Sequence, residues 1–390
     1  MRHEHGFSLL ELTIAVGLML TVTASVFSLM NPAQGAFSAQ PEVSDMQQRM
    51  RVATDTLYKD LVMAGGGAYQ GSMGGSLGNY FAPVLPRRLG STNEDGPTVF
   101  KTDTITLIYI PATIAQTTLA AHGPSLNSAE IGVNAESGCP VGDDLCGFKS
   151  GMTVMMYDAS GNYDIFTITA VQANALHIQH NSDNLTYTDY DANTTKIVQA
   201  ANFVYYLNTA TDQLMFYNGG TAADVPVVDN VVGLTFEYFG DPQPPTWRPG
   251  KAVSDTIGPW TSYGPKPSAL AVAPYAAGAN CVFNNDGSPV PAPALAVLGA
   301  AGTGLVKLTA AQLTDGPWCP NATSLNRWDA DLLRIRKIGV TVRVQAGVAS
   351  LRGPASVLFT RGGTSRGGDR WVPDQEIRFQ VSPRNLNLGR

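Results

Sequence analysis

The stretch GFSLLELTIAVGLML, residues 6–20, decides how the rest of the chain is organised, because it opens an apolar run that extends to residue 30. Glu11 is the only charged residue in that run. A helix of this length is about 36 Å long and can cross a hydrocarbon core of roughly 30 Å. The short leader carries Arg2, and the next Lys or Arg is Arg49. This asymmetry predicts a single membrane span with a cytoplasmic N-terminus.

The carboxylate of Glu11 needs a partner, because an ionisable group in a membrane span costs a few kcal/mol and usually has a function. A cut between Gly6 and Phe7 would supply one, since the new amine of Phe7 would lie one helical turn from Glu11. The amine could pair with Glu11 of its own helix or of a neighbouring helix. A secretory signal peptide fits poorly, because the apolar run exceeds the usual length of about 7–15 residues. A plain membrane anchor would leave Glu11 unexplained.

The residues from Gly6 to Leu12, GFSLLEL, closely resemble the class III signal of type IV pilins and type II secretion pseudopilins. This resemblance implies that a prepilin peptidase cleaves after Gly6 and methylates the amine of Phe7. It also implies that Glu11 directs docking into a growing filament. Many major pilins carry a proline near the middle of this helix, whereas the first proline here is Pro32.

A second helical pattern follows Asn31 and Pro32, where we expect the first helix to be interrupted. The predicted segments are a leader at 1–6, a transmembrane and assembly helix at 7–31, and a periplasmic continuation at 32–66. This apolar stripe could pack on the protein's own sheet or against neighbouring helices in a filament. Its members recur at steps of three and four residues: Val43, Met46, Met50, Ala53, Leu57, Leu61 and Ala64.

From about residue 100 the apolar pattern changes to a period of two, as in TITLIYI, GMTVMMYD and NFVYYLN. One long helix followed by antiparallel strands predicts an α+β fold with a β-rich head over residues 67–390. The segments RVATDTLYKDLVMAGGG and VVDNVVGLTFEYF resemble PilW-type and GspJ-type minor subunits. A Pro- and Gly-rich insertion at about 241–325 interrupts this resemblance, and we interpret it as a surface specific to this subunit.

Four cysteines form two neighbourhoods, which in an exported protein predict disulfides. Cys139 with Cys146 would close a local loop, and Cys281 with Cys319 would cross-link the insertion, although other pairings remain open. A metal site built from the four cysteines is disfavoured, because no Cys-x-x-Cys pair is present. Two histidines, His177 and His180, would point to opposite faces of a strand, and we interpret them as surface residues.

No hydrolase or phosphate-loop motif is present, so neither an enzyme, a cofactor nor a metal is predicted. Charged residues are only 14% of the chain and form no basic cluster, so nucleic acid is not an expected partner. With 44% hydrophobic residues the chain is also not disordered.

The resemblance implies a minor type IV pilin that initiates or caps pilus assembly. It would reside in the inner membrane with a periplasmic head and later in the pilus, at its tip. Its implied partners are prepilin peptidase, other minor pilins, the major pilin, the inner-membrane assembly platform and a tip adhesin. The alternatives are a type II secretion pseudopilin, a tip-exposed adhesive module that uses the insertion and, last, a secreted enzyme.

Overall fold

The computed structural model contains one long helix and a β-rich globular region, so the predicted α+β fold class is confirmed. Contacts divide the chain into two compact units, Met1–Arg51 with Val344–Gln375 and Val52–Arg343 with Glu376–Arg390. Side chains are not described for 29–38. The structure describes residues 8–68, 74–90, 93–121, 123, 129–158, 161–181, 185–220, 223–243, 296–300, 302–320, 323–352 and 372–387.

The helix, α1, runs without interruption over Leu9–Met63, so the predicted break at Asn31 and Pro32 is wrong. A proline inside a helix removes one backbone N–H donor, and the hydrogen bonds of the flanking turns remain. The helix stops where Gly65 adopts a φ of 77°. This left-handed conformation suits glycine, which has no Cβ to clash with the backbone.

Eighteen strands follow α1 within the described residues. Each of the predicted segments with period two contains a strand, whereas several strands of two or three residues and the longer β9 and β12 were not predicted. The strands are β1 (Val84–Leu85), β2 (Thr104–Tyr109), β3 (Gln116–Thr118), β4 (Glu130–Gly132), β5 (Thr153–Tyr157), β6 (Tyr163–Thr167), β7 (Ala170–Gln172), β8 (His177–Gln179), β9 (Lys196–Gln199), β10 (Ala201–Asn208), β11 (Gln213–Tyr217), β12 (Val225–Asp229), β13 (Val231–Gly240), β14 (Val306–Leu308), β15 (Trp318–Cys319), β16 (Trp328–Asp329), β17 (Ile335–Val344) and β18 (Gln375–Val381).

A five-stranded antiparallel sheet has the order β1-β2-β10-β11-β12. Its strands β2 and β10 are direct neighbours, with Ile105 opposite Tyr205. The chain between them leaves this sheet and builds two smaller sheets, β3-β9-β5-β6 and β4-β8-β7. This excursion is therefore a β-module inserted between two paired strands.

The inserted β-module has its own hydrophobic core. Its aliphatic and aromatic side chains come from both of the smaller sheets and from the loops between them, so apolar burial holds the two sheets together. The fully buried members are Ala115, Leu119, Ile131, Val133, Leu145, Phe148, Val154, Met156, Phe166, Ile168, Ile178, Leu185, Tyr190 and Ile197. His180 follows β8 and is only 2% exposed beside Phe166, so its predicted surface position is wrong.

Part of the predicted insertion at 241–325 belongs to the folded β-rich region. Strand β14 pairs with β13 in the sheet β14-β13-β17-β18, and β15 pairs with β16. The buried guanidinium of Arg334 donates to the carbonyl oxygens of Asp241 at 3.3 Å and of Ala296 at 2.6 Å. It thereby links Asp241 to Ala296, and the residues between 243 and 296 lie outside the described part of the chain.

The end of α1, from Ala53 onwards, and the following Ala64 contribute apolar side chains to the core of the larger unit. Ala53, Leu57, Leu61 and Ala64 are completely buried. The interpretation that this part of the stripe packs within the protein's own core is therefore confirmed. At about 25 cal/mol per Å² of buried apolar surface, each leucine contributes on the order of 2 kcal/mol.

Candidate assembly segment

The first turn of α1 is closed by a reciprocal pair of hydrogen bonds between Ser8 and Glu11. The backbone N–H of Ser8 donates to Oε2 of Glu11 at 2.9 Å, and the backbone N–H of Glu11 donates to Oγ of Ser8 at 3.2 Å. This arrangement is a capping box, which satisfies two backbone donors at a helix N-terminus. Ser8 is therefore a hydrogen-bonding partner of Glu11. The sequence predicted only an ionic partner for Glu11, although Ser-x-x-Glu is the signature of a capping box.

Residues Leu9–Ser28, called the first half of α1 from here on, expose large apolar side chains on every side. Exposed large hydrophobic side chains occur throughout the first half of the helix, from Leu9 at 82% to Phe27 at 66%. A helix that is hydrophobic all round requires an apolar environment. The full set is Leu9, Leu10, Leu12, Ile14, Val16, Leu18, Met19, Leu20, Val22, Val26 and Phe27.

The hydroxyl groups in this part of α1 are satisfied within the helix. Thr13 donates to the carbonyl of Leu10, and Thr23 donates to that of Met19. The hydroxyls of Thr21, Ser25 and Ser28 donate in the same way to carbonyls three or four residues earlier. Polar groups without partners would be costly in hydrocarbon, so this internal bonding suits an apolar surrounding.

One helix in the described part of the chain, Leu9–Ser28, is long and apolar enough to cross a membrane. Its mean hydropathy is 1.9, and none of it is buried within the protein. A signal sequence near an N-terminus can have the same length and composition. The segment is therefore compatible with a single-pass membrane protein.

The three residues predicted for processing and assembly are only partly described. Gly6 and Phe7 lie outside the described residues, so the structure does not place the predicted cleavage site. Glu11 lies at the exposed N-terminal end of α1. Its Oε2 accepts the Ser8 N–H.

The opposite end of α1 carries a buried carboxylate, Asp60, whose contacts the sequence did not predict. The hydroxyl of Tyr205 donates to Oδ2 at 2.5 Å, and that of Tyr109 donates to Oδ1 at 3.2 Å. These tyrosines belong to β10 and β2, so the contacts tie the helix to the five-stranded sheet. Burial raises the pKa of Asp60, against the two hydroxyl donors that act to lower it. The arrangement anchors the helix.

The predicted local disulfide is present, with the sulfurs of Cys139 and Cys146 bonded at 2.11 Å. The nearby Glu136 accepts backbone N–H groups from Gln116 and Gly147, which fixes the loop from inside. Cys319 is completely buried and disulfide-bonded. Its predicted partner, Cys281, lies outside the described residues, so that pairing stays a prediction.

A group of three carboxylates, from Asp315, Asp329 and Asp331, lies outside the assembly segment. Both oxygens of Asp329 already accept backbone N–H groups, from Gly316 at 2.7 Å and Asp331 at 2.8 Å. Asp331 pairs with the guanidinium of Arg334. Burial raises the pKa of Asp329 to about 7. These bonds give the buried carboxylates a structural role.

Comparison with models of known protein families and with curated proteins found no match for this chain. A functional assignment therefore rests on the residues at the start of α1 and on the chemistry that they allow.

Proposed function

We propose that the chain is a minor type IV pilin of the PilW kind. It is a structural subunit that is cut after Gly6 by prepilin peptidase and then helps to initiate or cap a pilus. Before assembly it resides in the inner membrane as a single-pass protein with its β-rich region in the periplasm. Its partners are the other minor pilins, the major pilin and the assembly platform, which it meets through α1.

The position of Glu11 is the observation that supports this proposal best. Its carboxylate lies at the start of a helix whose next turns carry no other charge and expose mostly apolar side chains. The backbone N–H of Ser8 donates to Oε2, and an ionised carboxylate has room for further donors, so Glu11 can also accept a hydrogen bond from an ammonium group. Cleavage after Gly6 creates that group on Phe7, in the same chain and in each neighbouring subunit.

The exposed apolar surface of α1 supports the same proposal. Lipid covers these side chains before assembly, and the helices of other subunits cover them in the filament. The transfer exchanges one apolar surrounding for another, so the burial of apolar surface changes little. Pairing the amine of Phe7 with Glu11 lowers the cost of carrying both charges into the helix bundle.

Replacing the carboxylate while keeping the cap tests the role of Glu11. Glu11→Gln retains a side-chain oxygen for the Ser8 N–H but removes the negative charge. We expect normal leader cleavage, seen as a gel mobility shift, and loss of the protein from sheared filaments. The matched control is Asp55→Asn, which neutralises an exposed carboxylate elsewhere on α1. Normal incorporation of the Glu11→Gln protein would refute the proposed mechanism.

A deletion strain separates the two machines that use this signal. Loss of sheared pili with a normal set of secreted proteins supports the minor pilin. Normal pili with blocked secretion would instead assign the chain to the pseudopilins of type II secretion.

A further inference from the structure

A polar surface cleft lies beside the five-stranded sheet, where β2 begins and β10 ends. It encloses about 400 Å³, which is within the range of sites for small molecules. The residues that line the cleft carry charged groups, amides and one aromatic ring. They include Arg88, Asn93, Lys101, Asp103, Thr104, Tyr206, Leu207 and Asn208.

The two cations of the cleft are held in place by one carboxylate, Asp95. Its Oδ1 accepts from Nζ of Lys101 at 2.5 Å. Its Oδ2 accepts the backbone N–H of Arg88 at 2.8 Å and faces Nε of the same residue at 3.4 Å. Burial acts to raise the pKa of Asp95, but the hydrogen bonds and charges of Lys101 and Arg88 outweigh it and lower the pKa. The carboxylate therefore stays ionised, and both cations are positioned before any ligand arrives.

The aromatic wall of the cleft is also fixed. The guanidinium of Arg88 lies over the ring of Tyr206, 5.0 Å from its centroid. The hydroxyl of Tyr206 donates to Oδ2 of Asp224 at 2.5 Å. A wall that is already ordered loses little conformational entropy when it binds a ligand, which favours recognition.

Charged groups of both signs surround the cleft: Arg88 and Lys101 are cations, and Asp95, Asp103 and Asp224 are carboxylates. Donors and acceptors are therefore mixed along the walls. An apolar ligand would displace water from these polar groups without offering them a hydrogen bond, which is costly. A strongly anionic ligand would meet the carboxylate of Asp103. A compact molecule with many hydroxyl groups satisfies both kinds of partner.

We propose that this cleft binds an uncharged saccharide unit through Asn93, Lys101, Asp103 and Asn208. The inference is independent of the assembly role of α1, because every residue in it belongs to the β-rich region. A saccharide-binding cleft would give the subunit a contact with glycans at a surface.

Saturation-transfer NMR on the full-length protein in detergent tests the proposal. The probes are glucose, galactose, mannose, N-acetylglucosamine and glucuronate, each at about 20 mM. At that concentration a site with a dissociation constant in the millimolar range is largely occupied. We expect transfer to at least one neutral sugar and weaker transfer to glucuronate. Absence of transfer to all four neutral sugars would overturn the proposal, and so would stronger transfer to glucuronate.

Two variants locate the binding. Lys101→Met removes one positioned cation, and Asn93→Ala removes an exposed amide that is not expected to affect folding. Each should reduce the transfer several-fold, whereas Lys149→Met, which changes an exposed lysine of the β-module, should leave it unchanged. If Lys101→Met misfolds by circular dichroism, Asn93→Ala still decides. Unchanged transfer in Asn93→Ala would contradict the assignment to this cleft.

Discussion

The two halves of α1 have opposite surroundings. Leu12, in the first half, is 62% exposed, whereas Leu57, in the second half, is completely buried. The difference lies in the residues between the apolar ones. The second half places charged residues such as Asp55 and Lys59 on one side, so only a stripe is apolar and one sheet can cover it. The first half has no such polar side.

This contrast shows that one helix performs two separate tasks. The second half stabilises the β-rich region through close packing and through Asp60. The first half, Leu9–Ser28, has no side chain buried by the described part of the chain, so its side chains remain for lipid or for other helices. The two halves should therefore respond differently to equivalent changes.

Removing residues 1–28 should have the largest effect. The truncation deletes eleven exposed apolar side chains, each contributing about 1.5–3 kcal/mol on transfer from water to an apolar phase. We expect the protein to move from the detergent phase to the aqueous phase in a Triton X-114 partition, while circular dichroism of the β-rich region is retained. A truncated protein that stays in the detergent phase would show that the second half of α1 also associates with membranes.

Matched leucine substitutions compare the two halves directly. Leu57→Ala should lower the free energy of unfolding by about 2–5 kcal/mol, because it leaves a cavity in a packed core. Leu12→Ala should change it by less than about 0.5 kcal/mol, since the side chain packs on nothing within the chain. Urea titration in mild detergent measures both. Equal losses would contradict the separation of tasks.

The polar anchor of the second half gives a smaller effect. Asp60→Ala should lower the free energy of unfolding by about 1–3 kcal/mol, because two buried tyrosine hydroxyls lose their acceptor. Asp55→Ala, on the exposed side of the same helix, should change it by less than about 0.5 kcal/mol. The same urea titration applies. A neutral Asp60→Ala would mean that apolar packing alone holds the helix.

The smallest expected effect is a pH dependence that comes from Asp60. Burial raises the pKa of Asp60 above 3.8, the usual value for an exposed aspartate, so the folded chain holds the proton more tightly than the unfolded chain. Its contribution to stability is complete below about pH 4 and is lost as the pH rises through the folded pKa. Wild type should lose stability relative to Asp60→Asn over that interval. A difference that is independent of pH would contradict the raised pKa.

Local patterns predicted most of the longer strands and few of the short ones. Alternation indicated β2, β10, β13 and β17, because apolar side chains recur at every second residue of each. Strands such as β1 and β14 have two or three residues and show no period. The pattern also suggested a break at Pro32, but one missing donor did not end a helix that continues on both sides.

Burial of polar groups was the least predictable feature. His180 was interpreted as a surface residue, and the burial of Asp60 was not predicted. Both positions depend on strands that are distant in sequence: Asp60 meets Tyr109 and Tyr205 only because β2 and β10 pair across an inserted module. Similarly, Asp95, Lys101 and Tyr206 form one cleft only after that pairing. The cysteine pair Cys139 and Cys146 was easier, since the two residues are close along the chain.

The sequence by itself determined an apolar helix of membrane-spanning length, a carboxylate at its start, a β-rich region and one local disulfide. These features follow from residue type and short-range periodicity. The tertiary structure decided which half of α1 is covered, that the helix passes through Pro32, and which residues meet around Asp60 and in the cleft. Those outcomes depend on long-range strand pairing, whose energy is shared among many residues and leaves no local pattern to read.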